Sequence, residues 1–271
     1  MASCLRILGF KCLLCGFFLQ VAGEEPGSGL ENGLAVATTV RGEVTLDLPD
    51  GTTRDIELHD VETLTGLEIS SGKDDYAFLS LSNECALGIY KNSKVRFESY
   101  LQRPFPPDKE SLEYEPSDSQ LSIQLLEGSL SFSAETLSPL SRILIKLPIG
   151  QIEIHKASGR VLYDERGVQI SISRGIVTYA YPGLEKEEFI NGPHQLRISK
   201  QSAGIGRVAE TSPEPKPLSQ HTERLIQATH RANERVIFKA SPEETSIPQP
   251  LLVADPEALL KPPPRPYSYL D

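Results

Sequence analysis

The sequence has no tryptophan, one methionine, and four cysteines of which three fall within the first 15 residues. Beyond that stretch Cys85 stands alone, so no internal disulfide can staple the rest of the chain, and its fold must rest on a hydrophobic core. Basic residues are also short. There are 27 Lys and Arg against 37 Asp and Glu, a formal net charge of −10. Neutralising phosphates takes the opposite surplus, so the nucleic-acid-binding class is excluded. The glycine period of collagen and the heptads of a coiled coil are missing too. No apolar run reaches the ~20 residues that cross a bilayer as a helix. What is present is a globular composition, 39% hydrophobic and 24% charged over 271 residues, enough for one large domain or two small ones.

Residues 1–23 read as a secretory signal peptide: a start carrying Arg6 and Lys11, an apolar stretch from Cys12 to Leu19, and the small residues Ala22 and Gly23 before Glu24. A retained anchor is the competing reading. Leu13-Leu14-Cys15 loosely matches a lipobox but lacks the small residue expected before the cysteine. Cleavage would remove Cys4, Cys12, Cys15, Arg6 and Lys11, leaving Cys85 alone and taking the net charge from −10 to −12. The expectation is an exported protein with no membrane span after cleavage. Cys85 itself reads as a small buried hydrophobe rather than a reactive thiol.

From about residue 34 to residue 200 short alternating runs follow one another. Val44–Leu48 leads through Pro49-Asp50-Gly51 to Thr53–Leu58, where Pro presets a turn dihedral, Asp bonds nearby backbone and Gly accepts positive φ. Further strands are expected at Tyr76–Leu81, Lys94–Glu98, Gln120–Leu125, Ser129–Ser133, Arg142–Leu147, Gln151–His155 and Gly159–Tyr163. Val168–Ile172 and Ile176–Tyr181 flank Arg174-Gly175, and Phe189-Ile190 and His194–Ile198 flank Asn191-Gly192 as a hairpin signal. No helical period interrupts the series. The domain is all-β, and the pattern fits a sandwich, a barrel or a solenoid alike. Gln102–Ser119, with four prolines and five acids, reads as a solvated excursion, with a binding loop as the alternative.

After the domain comes a proline-containing linker at 201–217. Ser219 can then cap an amphipathic helix within 218–240, whose stripe of Leu225, Thr229, Ala232 and Val236 would dock back on the domain, closing a sheet edge. The tail at 241–271 carries eight prolines and reads as a disordered spacer.

Chemistry is scarce. His59, His155, His194, His221 and His230 are scattered without metal-ligand spacing. Lys73-Asp74-Asp75 resembles a calcium-loop fragment that does not continue, and is better read as a turn. No nucleophile elbow, phosphate loop or dinucleotide fingerprint occurs. No catalytic, cofactor-binding or metal residue is therefore assigned, no cofactor is expected, and the chain is not expected to be an enzyme. A pair of carboxylates brought together in space, as in a glycan hydrolase, stays as a second alternative.

Several elements in order do resemble a family. Val40-Arg41-Gly42-Glu43-Val44 is similar to the opening strand of FecR-like domains. Gly66–Gly72 followed by Asp75–Leu81 resembles their next signature, and Ser82-Asn83, Gly88-Ile89 and Ser93–Phe97 continue it. Leu126–Leu130 and Pro148-Ile149-Gly150 match later elements, so the resemblance covers about Val36–Ile198. Two departures count. Gln151–Lys156 replaces the usual Gly-Thr step, and the anti-sigma segment and membrane span of FecR regulators do not appear. The resemblance implies a curved β-sandwich or irregular β-solenoid, periplasmic or cell-envelope associated in a diderm bacterium. Such a domain works as a binding or sensory module through contacts with protein or envelope components; a structural envelope or matrix scaffold is the alternative.

Overall fold

Alternating apolar residues bury one face of a strand, and a sheet built from such strands must fold over or find a cover. The computed structural model of the chain describes residues 29–105, 114–200, 217–239 and 248–253. The expected signal peptide at 1–23 and the linker residues 201–216 lie outside the described residues. The strands are β1 (Glu31–Asn32), β2 (Leu34–Arg41), β3 (Val44–Asp47), β4 (Thr53–Asp55), β5 (Val61–Thr63), β6 (Glu68–Ser71), β7 (Tyr76–Leu81), β8 (Ala86–Ile89) and β9 (Ser93–Gln102). They continue with β10 (Ser119–Ala134), β11 (Arg142–Leu147), β12 (Gly150–Asp164), β13 (Gly167–Ala180), β14 (Glu187–Asn191) and β15 (His194–Ser199). After them come the helix α1 (Gln220–Asn233) and the strands β16 (Val236–Lys239) and β17 (Gln249–Leu252).

Strands β1–β15 form one hydrogen-bonded sheet that folds into two layers. The fold is all-β. Among the described residues the pairing of β10 with β11 is the one parallel contact, and the rest are antiparallel. That rules for a sandwich over the stacked parallel coils of a solenoid. Three long strands belong to both layers. The first half of β10 pairs with β9 and β11, and its second half pairs with β8 and β12. β12 changes partner from β11 to β10 in the same way, and β13 changes from β15 in its first half to β14 in its second.

The corners between layers are where turns were expected. Ser129–Ser133 continues Gln120–Leu125 as one strand, bent by a register shift next to Gly128 at φ 87°. Arg174-Gly175 is likewise no turn but a bulge inside β13, with Gly175 at φ 79° and a register shift in β12 opposite it. Asn191-Gly192 does not close a hairpin: β14 and β15 both pair with β13, and Gly192 N–H donates to Gly175 O at 2.9 Å as the chain turns the same corner. Between the layers lies one hydrophobic cluster, with Leu46, Ile69, Phe97, Leu121 and Ile145 from one side and Leu79, Leu87, Phe132, Val161 and Ile170 from the other.

The two outer faces differ. On the layer containing β9 and β11, Glu68 pairs with Lys94 and Arg96 at 2.7 Å each, Glu98 with Lys146 at 2.5 Å, and Arg142 with Glu153 at 3.2 Å. Apart from Glu68, which is buried beneath Lys94 and Arg96, these cross-strand charges face water. The layer containing β2, β7 and β8 is covered instead. α1 lies across it rather than at a sheet edge, and ends at Asn233 instead of running to residue 240. Its buried side chains are Thr222, Ile226, Thr229 and Ala232, with Leu225 partly buried beside them. Val236 belongs to β16, where it and Phe238 cover Leu34 and Val36. Part of the expected disordered tail is therefore structured: Gln249–Leu252 pairs with β16 as a ribbon. Other tail residues, 241–247 and 254–271, lie outside the described residues.

Candidate functional site

α1 can lie close to the sheet because the strand residues beneath it are small. Ser80, Ala86, Gly88, Ser131 and Ser133 present a low polar surface. Thr229 Oγ1, fully buried, meets Ser131 Oγ, and Tyr90 Oη donates to Leu225 O at 2.7 Å. Burial raises the Tyr90 phenol above its usual range, so it stays a donor. Ser133 Oγ and His230 Nδ1 lie 3.0 Å apart, and Asn233 Nδ2 donates to Glu84 O at 2.6 Å. At its start the helix is capped by Ser219, whose Oγ accepts Thr222 N–H at 3.2 Å.

Beside the first half of α1 the cover stops short and leaves a cleft of about 730 Å³. His221 and Leu225 form one wall, Leu162 of β12 the opposite one, and Tyr76 and Tyr90 a third, with Tyr163 at the edge of the interlayer cluster beside them. Gly128 and Ser129 of β10 form the floor with Arg160. Arg160 is on the outward face of β12, opposite Ser131 and Ser171, so neither cross-strand neighbour offers it a carboxylate. Its Nε donates to Ser129 Oγ at 2.6 Å, and among the described residues neither Nη atom has a hydrogen-bond or ion-pair partner. Desolvation pulls the guanidinium below its usual pKa, yet an arginine stays protonated at any physiological pH. The cleft thus holds a half-buried positive charge with unused donors. Lys200 lies 4.6 Å from the Tyr163 ring centroid and Lys91 at the rim, with Asp74, Glu127, Asp164 and Glu165 around them.

None of this was legible as a site. Of the five histidines, the structure brings His221 to the cleft, while His59 and His155 lie elsewhere on the surface and His194 at the β14–β15 corner. Lys73-Asp74-Asp75 is the turn between β6 and β7; Asp74 lies at the cleft rim, while the Asp75 carboxylate packs against Gly42 and Gly72. Among the described residues no three His, Cys, Asp or Glu side chains gather to hold a metal. Cys85 is buried, and desolvation raises its thiol well above the usual range.

A second polar cluster shows that the C-terminal end of the Gln102–Ser119 excursion is packed rather than solvated, while Arg103, Pro104 and Tyr114 are exposed. Residues 106–113 lie outside the described residues, but Glu115 is buried to 3% exposure. Its carboxyl accepts from Ser119 Oγ and Ser138 N–H, both at 2.9 Å, and Ser119 Oγ accepts from Asn83 Nδ2. Burial pushes the Glu115 pKa up to about 7, with Asp118 adding to it; the other titratable groups facing the cluster are Cys85 and Tyr100. The folded state therefore holds its proton up to about pH 7, while the unfolded chain loses it near 4.5. Stability from this group is present at low pH and is lost as pH rises through that window. Glu115→Gln should flatten that part of the urea-midpoint profile, giving a more stable protein than the wild type at about pH 8 and little difference at about pH 4.5.

The fold and the cleft define the class: a β-sandwich with a helix clasped across one outer face and an arginine-floored cleft beside it. No protein-family model and no curated protein matches the chain. Among solved structures it is similar to two crystal structures from Parabacteroides distasonis, each described provisionally as an anti-sigma factor. One has 14% identity over 71% of this chain and 88% of the other, with a TM-score of 0.41. The second has 13% identity and a TM-score of 0.37, over 49% of this chain and 54% of the other, so the match spans about half of that protein's length.

Proposed function

We propose that this chain is a non-catalytic binding or sensory module of FecR-like type, exported to the envelope of a diderm bacterium. The observation that carries it is the cleft beside α1, where a half-buried guanidinium with free donors is surrounded by tyrosine and leucine side chains. Such a mixture of apolar wall and one placed charge suits recognition of a small ligand. A sensor also needs something that the ligand can move. Here the wall is α1, held to the sheet by hydroxyl contacts and a thin apolar stripe, and it leads directly into the C-terminal ribbon.

The test is to express the full chain in a diderm host and examine the osmotic-shock fraction by native mass spectrometry. A chain beginning at Glu24 and carrying a small-molecule adduct is expected, with the adduct lost in Leu162→Trp, which fills the cleft. Retention in the cytoplasm with residues 1–23 intact overturns the export reading. An adduct indifferent to Leu162→Trp overturns the cleft as its site.

A further inference from the structure

The cleft has an uneven charge distribution that narrows the ligand, granted the reading that it is the binding site. At the floor Arg160 is the single charge, and the Ser129 contact on Nε orients the guanidinium and leaves both Nη groups for an incoming acceptor. Two parallel N–H donors match the two oxygens of one carboxylate. Further out the balance reverses. Lys91 and Lys200 are outnumbered by Asp74, Glu127, Asp164 and Glu165. A polyanion such as a phosphate ester would meet that acidic rim at every approach, so phosphate chemistry is disfavoured. A ligand with one negative end, an apolar middle and a positive or neutral far end satisfies floor, wall and rim together.

We propose that the Arg160 cleft binds the free C-terminal carboxylate of a short apolar peptide, with its carboxylate on the guanidinium, its side chains against Leu162, Leu225 and Tyr76, and its amino end at the acidic rim. The volume of about 730 Å³ accommodates a few residues. The same chemistry is offered by a free peptide and by the C-terminal end of a protein, and the two differ in whether an ammonium reaches the rim.

The experiment is calorimetric titration of the full chain with trileucine, its C-terminal amide, its N-acetyl form and inorganic phosphate. Trileucine is expected to bind, with the amide at least about tenfold weaker, as expected for loss of one charge-assisted bidentate pair. Arg160→Gln should lose the same factor for trileucine and none for the amide, while His155→Gln, far from the cleft, should bind as the wild type does. Binding weakened by N-acetylation identifies a free peptide, and equal binding of the N-acetyl form identifies a protein end. No binding of trileucine, or equal binding of acid and amide, overturns the carboxylate assignment while leaving the cleft reading intact. Tighter binding of phosphate through Arg160 overturns it in favour of a simple anion site. Trileucine bound equally by Leu162→Trp removes the cleft itself from both proposals. A melting curve of Arg160→Gln matching that of the wild type keeps a loss of binding from being a loss of fold.

Discussion

Gly175→Ala should lower the thermal midpoint by about 10 °C, the consequence of roughly 4 kcal/mol of destabilisation in a domain of this size. Two causes add. Gly175 sits at φ 79°, a conformation that costs an L side chain about 1–2 kcal/mol. The added Cβ would also meet backbone: Lys156 O at 1.8 Å and the Ala157 Cα at 2.7 Å. Neither atom can rotate away, because both belong to β12 at the corner where it changes layers. Relief would require the β12–β13 ladder to open where it carries the bend of the sandwich. Gly183→Ala separates the two causes. Gly183 has a similar φ of 69° with nothing within 4 Å of the new Cβ, so only the conformational cost applies, about 1–2 kcal/mol. Differential scanning calorimetry of both variants decides the matter. Equal melting temperatures for the two would mean that close backbone contact at the corner does not hold the layers together.

The same glycine shows what sequence can and cannot deliver. Pro49-Asp50-Gly51 forms the expected β3–β4 turn because everything it needs is local: Asp50 Oδ1 accepts Thr52 N–H at 2.9 Å and Thr52 Oγ1–H at 2.6 Å, and Gly51 takes φ 84°. Arg174-Gly175 and Asn191-Gly192 carry the same kind of signal and become a bulge and a corner. A glycine at positive φ serves a hairpin and a bulge equally, and the choice depends on which strand lies alongside, a long-range fact. The covered face left a fainter trace. Ala77-Phe78-Leu79 in β7 and Ala86-Leu87 in β8 are apolar at consecutive positions, the mark of a strand buried on both sides. That run foretold a cover without saying that α1 and β16 supply it. The thin helix stripe was legible in kind, but its register shifted once Thr222 and Ile226 took the buried positions. The cleft left no trace, because its residues come from six separate segments. What makes Arg160 notable is the pair of serines opposite it, and those neighbours exist only once the register is known.

The second large effect concerns how α1 is held. Gly88 lies in β8 with Phe78 and Ser131 as its cross-strand partners, directly under the helix. A Cβ there would stand 2.5 Å from Ser131 Oγ, 2.6 Å from Thr229 Oγ1 and 2.8 Å from Phe78 Cε1. A leucine at this position has no room unless α1 lifts, because Ser131 and Phe78 are fixed by their own strands. Lifting breaks the Tyr90–Leu225 bond and exposes Ile226 and Ala232. The interlayer cluster contains no residue of α1, so the sandwich keeps its own burial. Gly88→Leu should therefore release α1 rather than unfold the domain. Tryptic cleavage at Arg224 and Arg231 is expected to accelerate about a hundredfold, corresponding to loss of some 3 kcal/mol of local protection. Trileucine affinity should fall with it, since His221 and Leu225 form one wall of the cleft, whereas the unfolding transition of the β domain should stay cooperative. Cleavage at the wild-type rate would show that α1 tolerates a raised floor, and that the shape of the cleft does not depend on close packing of the helix.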